Sequence, residues 1–325
     1  MTTRTIHFIR GLCAFAMLAV SAAAAAQAWP SKPVRIIVNF PPGGAADVIA
    51  RAIAPGLGES LGQAVLIENR PGANGNIGAE AVVRSGGDGY TLLMASGGTV
   101  SVNPQIYANM SFDPAKDLQP VAAAARVLVY LIVRPDVPAN NVAELVAHLR
   151  ANPGKLAFGS PGSGSSPHIA MEMFKLNAKV FAVHVPYRGA APALTDLLGG
   201  QLQFLFDPGP GLTHVRSGKL RLLAVGSPKR SPQFPGTPTL AESGMPGFDA
   251  DTYFGFYAPA AVSQEIVGRL NREINRLLGT PQVRERIEAL GGDPSPMTPA
   301  QFDQLTRADR ERFGVVIRAA GIKAD

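Results

Sequence analysis

The sequence predicts an α/β protein with mostly parallel sheets covered by helices, divided into two domains. Short apolar runs alternate with helical patterns along almost the whole chain, as parallel sheets require. The 325 residues are 46% hydrophobic and include 35 glycines and 28 prolines, enough for a large core and many short turns. About 297 residues follow a predicted export signal, a length that fits two domains of ordinary size.

The first 28 residues are typical of a secretory signal peptide. Arg4 and Arg10 supply the positive region, an alanine-rich apolar stretch follows, and cleavage after Ala28 fits the small-x-small pattern. The apolar stretch is shorter than the ~18 residues of a membrane span. We expect a periplasmic protein that begins at Trp29 and has no disulfide, because Cys13 is the sole cysteine.

Intact-mass measurement tests this expectation directly. The exported form should have the mass of a chain that starts at Trp29. Retention of residues 1–28 would contradict it.

Charge and histidine spacing restrict the classes of partner. The net charge of +6 is scattered, without a block of Lys and Arg, which disfavours nucleic acid and suits small anionic solutes. The five histidines have no metal-ligand spacing. We expect no metal, no cofactor and a monomeric protein.

Nine strands are predicted from short apolar runs that end at Gly, Pro, Asn, Asp or Ser. They are Val34–Phe40, Ala64–Asn69, Thr91–Ala95, Leu128–Val133, Leu156–Gly159, Phe181–His184, Phe204–Asp207, Leu220–Ser227 and Tyr253–Ala258.

Helix starts are predicted between and after these strands. Asn141 with Glu144 predicts a capped start, and Thr298 with Gln301 a capping box. Thr280 before a proline marks another start. An apolar stripe predicts an amphipathic helix in the tail. Its members are Ile266, Leu270, Ile274 and Leu277.

The turn after the first strand predicts a binding site for a small anion. Phe40, Pro41, Gly43 and Gly44 lie between the strand and a helix, so free backbone N–H groups and the positive helix end face the same point. The turn has neither the lysine of a P-loop nor a G-x-G-x-x-G pattern. Asp47 complements the helix dipole and forms an i,i+4 pair with Arg51; its alternative role is contact with a ligand through water or a ligand amine.

A second turn of the same kind follows Leu156–Gly159 and adds hydroxyl groups. Its candidate ligand-binding residues are Ser160, Gly162, Ser163, Gly164, Ser165 and His168. Because ligands of parallel sheets bind beyond the carboxyl ends of strands, the two turns would face each other across a cleft. The alternative is that the serines are local caps and the glycines ordinary turn residues.

Five further residues at strand ends are candidates for the cleft. They are Ser96, Tyr187, Arg188, Asp207 and Tyr253. Arg188 could pair with a carboxylate or form a surface ion pair. Asp207 could instead cap the following turn, and Tyr253 could fill a core.

The chain resembles the Bug family, the periplasmic substrate-binding proteins of tripartite tricarboxylate transporters. The resemblance runs from about Trp29 to the C-terminus and rests on the order and spacing of short motifs. These are Trp29–Pro33, Phe40–Asp47, Asn69–Ala73, Phe112–Pro114, Gly159–His168, Val185–Gly189, Asp196–Gln201 and Gly218–Arg221. Two motifs depart from the family pattern: Tyr253 stands where a tryptophan is common, and Ala261-Val262-Ser263 replaces Gly-Thr-Pro.

The resemblance implies the type II periplasmic-binding-protein fold, two lobes of mostly parallel sheet joined by a hinge around a central cleft. We expect residues 29–128 and 252–325 in the first lobe and residues 129–251 in the second. The implied function is capture of a small carboxylate by hinge closure, for a membrane transporter or a sensor. The implied ligands are dicarboxylates, tricarboxylates, amino acids and aromatic acids.

The alternative function is an exported serine hydrolase. It would use Ser163 or Ser165 with His168. The turn lacks the G-x-S-x-G elbow and an obvious neighbouring base, so a binding protein without catalysis is the favoured hypothesis.

Overall fold

The computed structural model describes residues 29–324, and the predicted signal peptide lies outside them. Within this range the strands form two sheets. In chain order the strands are β1 (Val34–Val38), β2 (Val65–Asn69), β3 (Thr91–Ser96), β4 (Leu118–Val127), β5 (Tyr130–Val133), β6 (Ala157–Ser160), β7 (Val183–Pro186), β8 (Phe204–Asp207), β9 (Arg221–Val225), β10 (Thr252–Pro259) and β11 (Gly292–Pro294).

Helices cover both sheets. They are α1 (Ala45–Leu61), α2 (Asn76–Val83), α3 (Gly97–Ser101), α4 (Asn103–Ile106), α5 (Pro114–Asp117), α6 (Val142–Ala151), α7 (Ser166–Ala178), α8 (Ala190–Leu198), α9 (Leu212–Arg216), α10 (Gln264–Leu278), α11 (Pro281–Ala289) and α12 (Pro299–Ala320). A short 3₁₀ turn, Ala73–Gly75, precedes α2. In the described part of the chain, no helix is long and apolar enough to cross a membrane.

The sheets are mixed, whereas the sequence predicts mostly parallel ones. Their strand orders are β11-β4-β10-β3-β1-β2 and β7-β6-β8-β5-β9. β1 is parallel to β2 and β3, and β6 is parallel to β7 and β8. The other pairings are antiparallel and involve β4, β5, β9 and β10. These are the strands that flank the passages of the chain from one sheet to the other, so they run against their neighbours.

Each sheet has its own core. The core of the first lobe contains Ile49, Ile53 and Leu57 of α1 packed with residues of β1. The apolar stripe of α10 joins the same core, and its members Leu270 and Ile274 are fully buried. In the second lobe, α7 is buried along most of its length against the five-stranded sheet.

The lobes are joined where β4 leads into β5 and where the segment after β9 returns to β10. Arg126 at the end of β4 donates to the Asp251 carboxylate (Nε–Oδ2 2.6 Å), and the Ser227 hydroxyl also contacts Asp251. Burial raises the pKa of Asp251 to about 6, although Arg126 opposes the shift. These contacts tie the two connections together at the hinge.

Helix α12 contributes to the cores of both lobes. Phe302 packs on Tyr257 of the first lobe, whereas Phe313 and Ile317 belong to the core of the second. Arg312 ion-pairs with Asp249 beside the hinge (2.6 Å). The lobe boundaries stay a prediction, and residues 299–320 bridge the two units.

Local signals and observed elements agree at the predicted helix starts. Asn141 caps α6 and Thr298 forms the capping box of α12. Strand ends shift by a residue or two; β1, for example, ends at Val38 and not at Phe40. β4 and β11 were not predicted, and β4 contains the alanine run 122–125, which has little intrinsic strand preference.

Candidate ligand-binding site

A cavity of about 70 Å³ lies between the lobes. Its walls come from the turn before α1, from the ends of β3 and β10, and from the turns before α7 and α8. The lining residues are Phe40, Pro41, Pro42, Gly44, Ala45, Ala46, Ser96, Pro161, Ser165, Ser166, Pro167, Gly189, Ala190, Ala191, Pro192, Pro208, Thr252 and Phe254. A Cβ built on Gly189 would lie 3.1 Å from Pro41 Cγ, so the two lobes are in contact at its edge.

The N-termini of α1, α7 and α8 converge on this cavity. Their N-cap residues are Gly44, Ser165 and Gly189, and within the described residues none of them makes a side-chain cap hydrogen bond. Among the helices that start elsewhere in the described part of the chain, α6, α10 and α12 are capped by side chains, whereas α2, α9 and α11 are not. The converging helices therefore present backbone N–H groups and partial positive charge from both lobes to the same space.

Asp47 holds the first turn. Its carboxylate accepts from the backbone N–H of Gly43 (3.0 Å), from Arg51 (3.0 Å) and from Asn69 (2.9 Å). Burial works against ionisation, but these hydrogen bonds together hold the pKa of Asp47 below its ordinary value. Asp47 and the Gly43 N–H are thus engaged with each other, and neither lines the cavity.

Hydrogen bonds within the second turn engage most of its polar groups. Ser165 Oγ donates to the carbonyl of Gly162 (2.7 Å), and Ser160 Oγ lies 2.6 Å from His184 Nε2. The Gly164 N–H donates to His168 Nδ1 (2.9 Å). Ser160, Gly164 and His168 are buried behind the cavity and do not line it.

The same geometry disfavours the hydrolase arrangement. Ser165 donates to a carbonyl and not to His168. One ring nitrogen of His168 accepts from Gly164, and the other lies 3.6 Å from Glu172. The His168 ring also stacks on His184 with centroids 3.8 Å apart, and Ser160, which the hydrolase hypothesis does not use, contacts this pair through His184.

The predicted site residues divide into three groups. Phe40, Pro41, Gly44, Ser96 and Ser165 line the cavity. A neighbouring groove shares Phe40 and Pro41 and is also lined by Gly162, Ser163, Tyr187 and Arg188. Gly43, Asp47, Ser160, Gly164, His168, Asp207 and Tyr253 line neither.

Tyr187 and Arg188 lie at the rim of that groove. Tyr187 donates to Asp196 (2.6 Å), and the side chain of Arg188 is exposed.

Tyr253 packs away from the cavity. Successive side chains of a strand point to opposite faces, and Thr252 and Phe254 face the cavity. Tyr253 packs instead against the cluster of Tyr257 and Phe302, so its predicted place in the cleft wall is wrong.

Asp207 caps the turn after β8, as its alternative interpretation states. One carboxylate oxygen accepts from the N–H groups of Gly209 (2.7 Å) and Gly211 (2.8 Å). Complete burial outweighs these bonds and raises the pKa of Asp207 to about 6.

Asp207→Asn should remove the pH dependence of stability that the raised pKa of Asp207 causes. Between about pH 4 and 6 the folded protein keeps a proton that the unfolded chain has lost, so the free energy of unfolding falls as pH rises. The variant has no carboxyl group at this position and so does not lose this stability. The difference in unfolding free energy, variant minus parent, should therefore rise by up to about 3 kcal/mol between pH 4 and pH 7. Denaturation at both pH values measures the change, and a constant difference would contradict it.

Four parts of the wall were not predicted as ligand-binding, and one of them is Pro208 after β8. Residues 189–192 begin α8 at the cavity, and Thr252 and Phe254 line it from β10. A signal existed for residues 189–192, since Gly189-Ala190-Ala191 repeats the Gly44-Ala45-Ala46 pattern at the start of α1. Within residues 29–324, no cluster of three or more His, Cys, Asp or Glu could hold a metal ion.

Two α/β lobes around a cavity lined by helix N-termini define a two-lobed, type II periplasmic binding protein. The sequence matches the profile of TctC, the tripartite tricarboxylate transporter family receptor, over residues 49–322. The chain belongs to this family. Its members are periplasmic receptors and not enzymes, which confirms the predicted Bug-type binding protein.

Relatives and solved structures agree over most of the chain. Protein BugT of Bordetella pertussis is 38% identical over 306 residues, 94% of each chain. The structure of R. palustris Rpa4515 with adipate is 35% identical with a TM-score of 0.88, covering 92% of this chain and 100% of that one. MatC (Rpa3494) from Rhodopseudomonas palustris with bound malate is 30% identical with a TM-score of 0.83, covering 89% and 100%.

Proposed function

We propose that this receptor captures a small carboxylate in the cavity between its lobes and presents it to a membrane transporter. The observation that carries the proposal is the convergence of α1, α7 and α8, whose first turns lack side-chain caps within the described residues. A carboxylate accepts such N–H groups and is stabilised by the positive ends of the helices. The similar proteins with adipate and malate support the same ligand chemistry.

Binding would proceed by closure of the lobes. The donors of α1 belong to one lobe and those of α7 and α8 to the other, so only a closed form brings all of them to one ligand. Closure removes water from the carboxylate, and the N–H groups replace it. The closed form is then the one that the transporter recognises, and the receptor acts as a monomer with no cofactor.

Thermal unfolding with matched ligand pairs tests the proposal. Adipate and benzoate should raise the melting temperature, whereas adipamide and benzamide, which keep the shape but lack the charge, should not. Small-angle scattering of the empty and saturated protein should then show a smaller radius of gyration with ligand. Stabilisation by the amides but not the acids would overturn carboxylate recognition, and an unchanged radius would overturn closure.

A further inference from the structure

The cavity wall is mainly hydrocarbon. The apolar contributors are the rings of Phe40 and Phe254, the prolines 41, 42, 161, 167, 192 and 208, and the alanines 45, 46, 190 and 191. The side-chain polar groups are the hydroxyls of Ser96, Ser165, Ser166 and Thr252. Among the described lining residues, none carries a charged side chain.

This composition limits the body of the ligand. The helix N-termini of the two lobes can satisfy carboxylates at the ends of a ligand, but a hydroxyl or carboxylate on the body between them, placed against the proline and phenyl surfaces, would lose its water without a partner. A hydrocarbon body loses nothing there and gains from apolar burial. The wall therefore favours an aliphatic or aromatic acid over a hydroxylated or tricarboxylic one.

One hydroxyl in this wall is both fully buried and without a hydrogen-bond partner within the described residues. Thr252 is 1% exposed, and its Oγ1 has no hydrogen-bond partner within the described residues. It lies beside Gly97, where an added Cβ would be 3.3 Å from it. Ser165 differs, because its hydroxyl already donates to Gly162. A buried unpaired hydroxyl costs stability, and a ligand oxygen in the cavity would remove that cost.

We propose, on the basis of the function above, that the receptor selects an acid with a hydrocarbon body and that Thr252 supplies a side-chain hydrogen bond to it. Phe40, Phe254 and the prolines contact the body, and the helix N-termini hold the carboxylate. Thr252 is the first residue of β10 and lies next to the hinge residue Asp251.

Calorimetric titration with four acids tests the body of the ligand. Adipate and benzoate should bind at least 10-fold more tightly than malate and citrate, with a negative heat-capacity change that reports apolar burial. Malate or citrate binding as tightly as the better hydrocarbon acid would overturn this selectivity while leaving carboxylate capture intact. Failure of all four acids to bind would instead count against the proposed function itself.

Thr252→Val and Thr252→Ser test the hydroxyl. Valine keeps the shape but lacks the hydroxyl, so affinity for the tightest acid should fall at least 10-fold while serine retains most of it. The melting temperature of the empty valine variant should not fall, because its parent hydroxyl has no partner to lose. Parental affinity in the valine variant, or an equal loss in both variants, would overturn the role of Thr252. Phe181→Ala, at an exposed side chain away from the cavity, is the control and should bind as the parent does.

Discussion

Gly44→Asp should abolish carboxylate binding while the empty protein still folds cooperatively. The backbone of Gly44 has φ −76°, which suits any residue, and an added Cβ would meet only the carbonyl of Pro41 at 3.5 Å. Aspartate is a favoured N-cap, so its carboxylate would accept the N–H groups of α1 that the ligand needs. The ligand would lose these donors and face a like charge in a partly desolvated site.

Ligand-induced stabilisation measures the effect. At about 100 times its dissociation constant, a ligand should stabilise the parent by roughly 2.7 kcal/mol, and this increment should vanish in the variant. Gly44→Ala is the matched control, because it adds the Cβ without the charge and should keep most of the increment. A full increment in the aspartate variant would show that the anion does not bind at this turn.

Gly209→Ala should destabilise the protein more than other glycine substitutions with similar backbone angles. Gly209 follows β8 in the second lobe and has φ +124°. An added Cβ would lie 2.0 Å from the carbonyl oxygen of Leu290, which follows α11 in the first lobe. A backbone atom cannot move aside by changing rotamer, so the contact between the lobes must open.

The expected loss combines two costs. Strained backbone contributes about 1–3 kcal/mol, and overpacking adds about 1–3 kcal/mol. Gly162→Ala separates them, because Gly162 has φ +138° but its added Cβ would meet only the carbonyl of Tyr187 at 3.5 Å. Urea denaturation of both variants gives the difference in unfolding free energy. Equal losses would mean that the Leu290 contact does not constrain the lobes.

Features with a local cause were predictable from the sequence. The turn at Gly43 and Gly44 and the capping box at Thr298 depend on neighbouring residues, so short motifs were sufficient. The Asp47–Arg51 pair was also predictable from its spacing, but the third partner, Asn69, comes from the next strand and left no local signal.

Features decided by distant pairing were not predictable. The alanine run of β4 is a strand because β10, more than a hundred residues later, pairs with it. The same pairing, together with that of β10 to β3, fixes which side chains of β10 face the cavity. Tyr253 differs from Thr252 and Phe254 by one residue of register and therefore points to the opposite face of the sheet. The sequence pattern predicted Tyr253 in the cavity wall in place of these two neighbours.

The uncharged cavity wall makes the receptor insensitive to acidity at the point of capture. The attraction for the ligand comes from peptide dipoles of α1, α7 and α8, and a peptide N–H does not titrate as a histidine or lysine does. Acidification therefore acts on the ligand, through the fraction that is ionised, and on the receptor outside the cavity wall, through Asp207 and the hinge carboxylate Asp251. Ligand capture at this wall would then follow the ionisation of the ligand and not the protonation of the lining side chains.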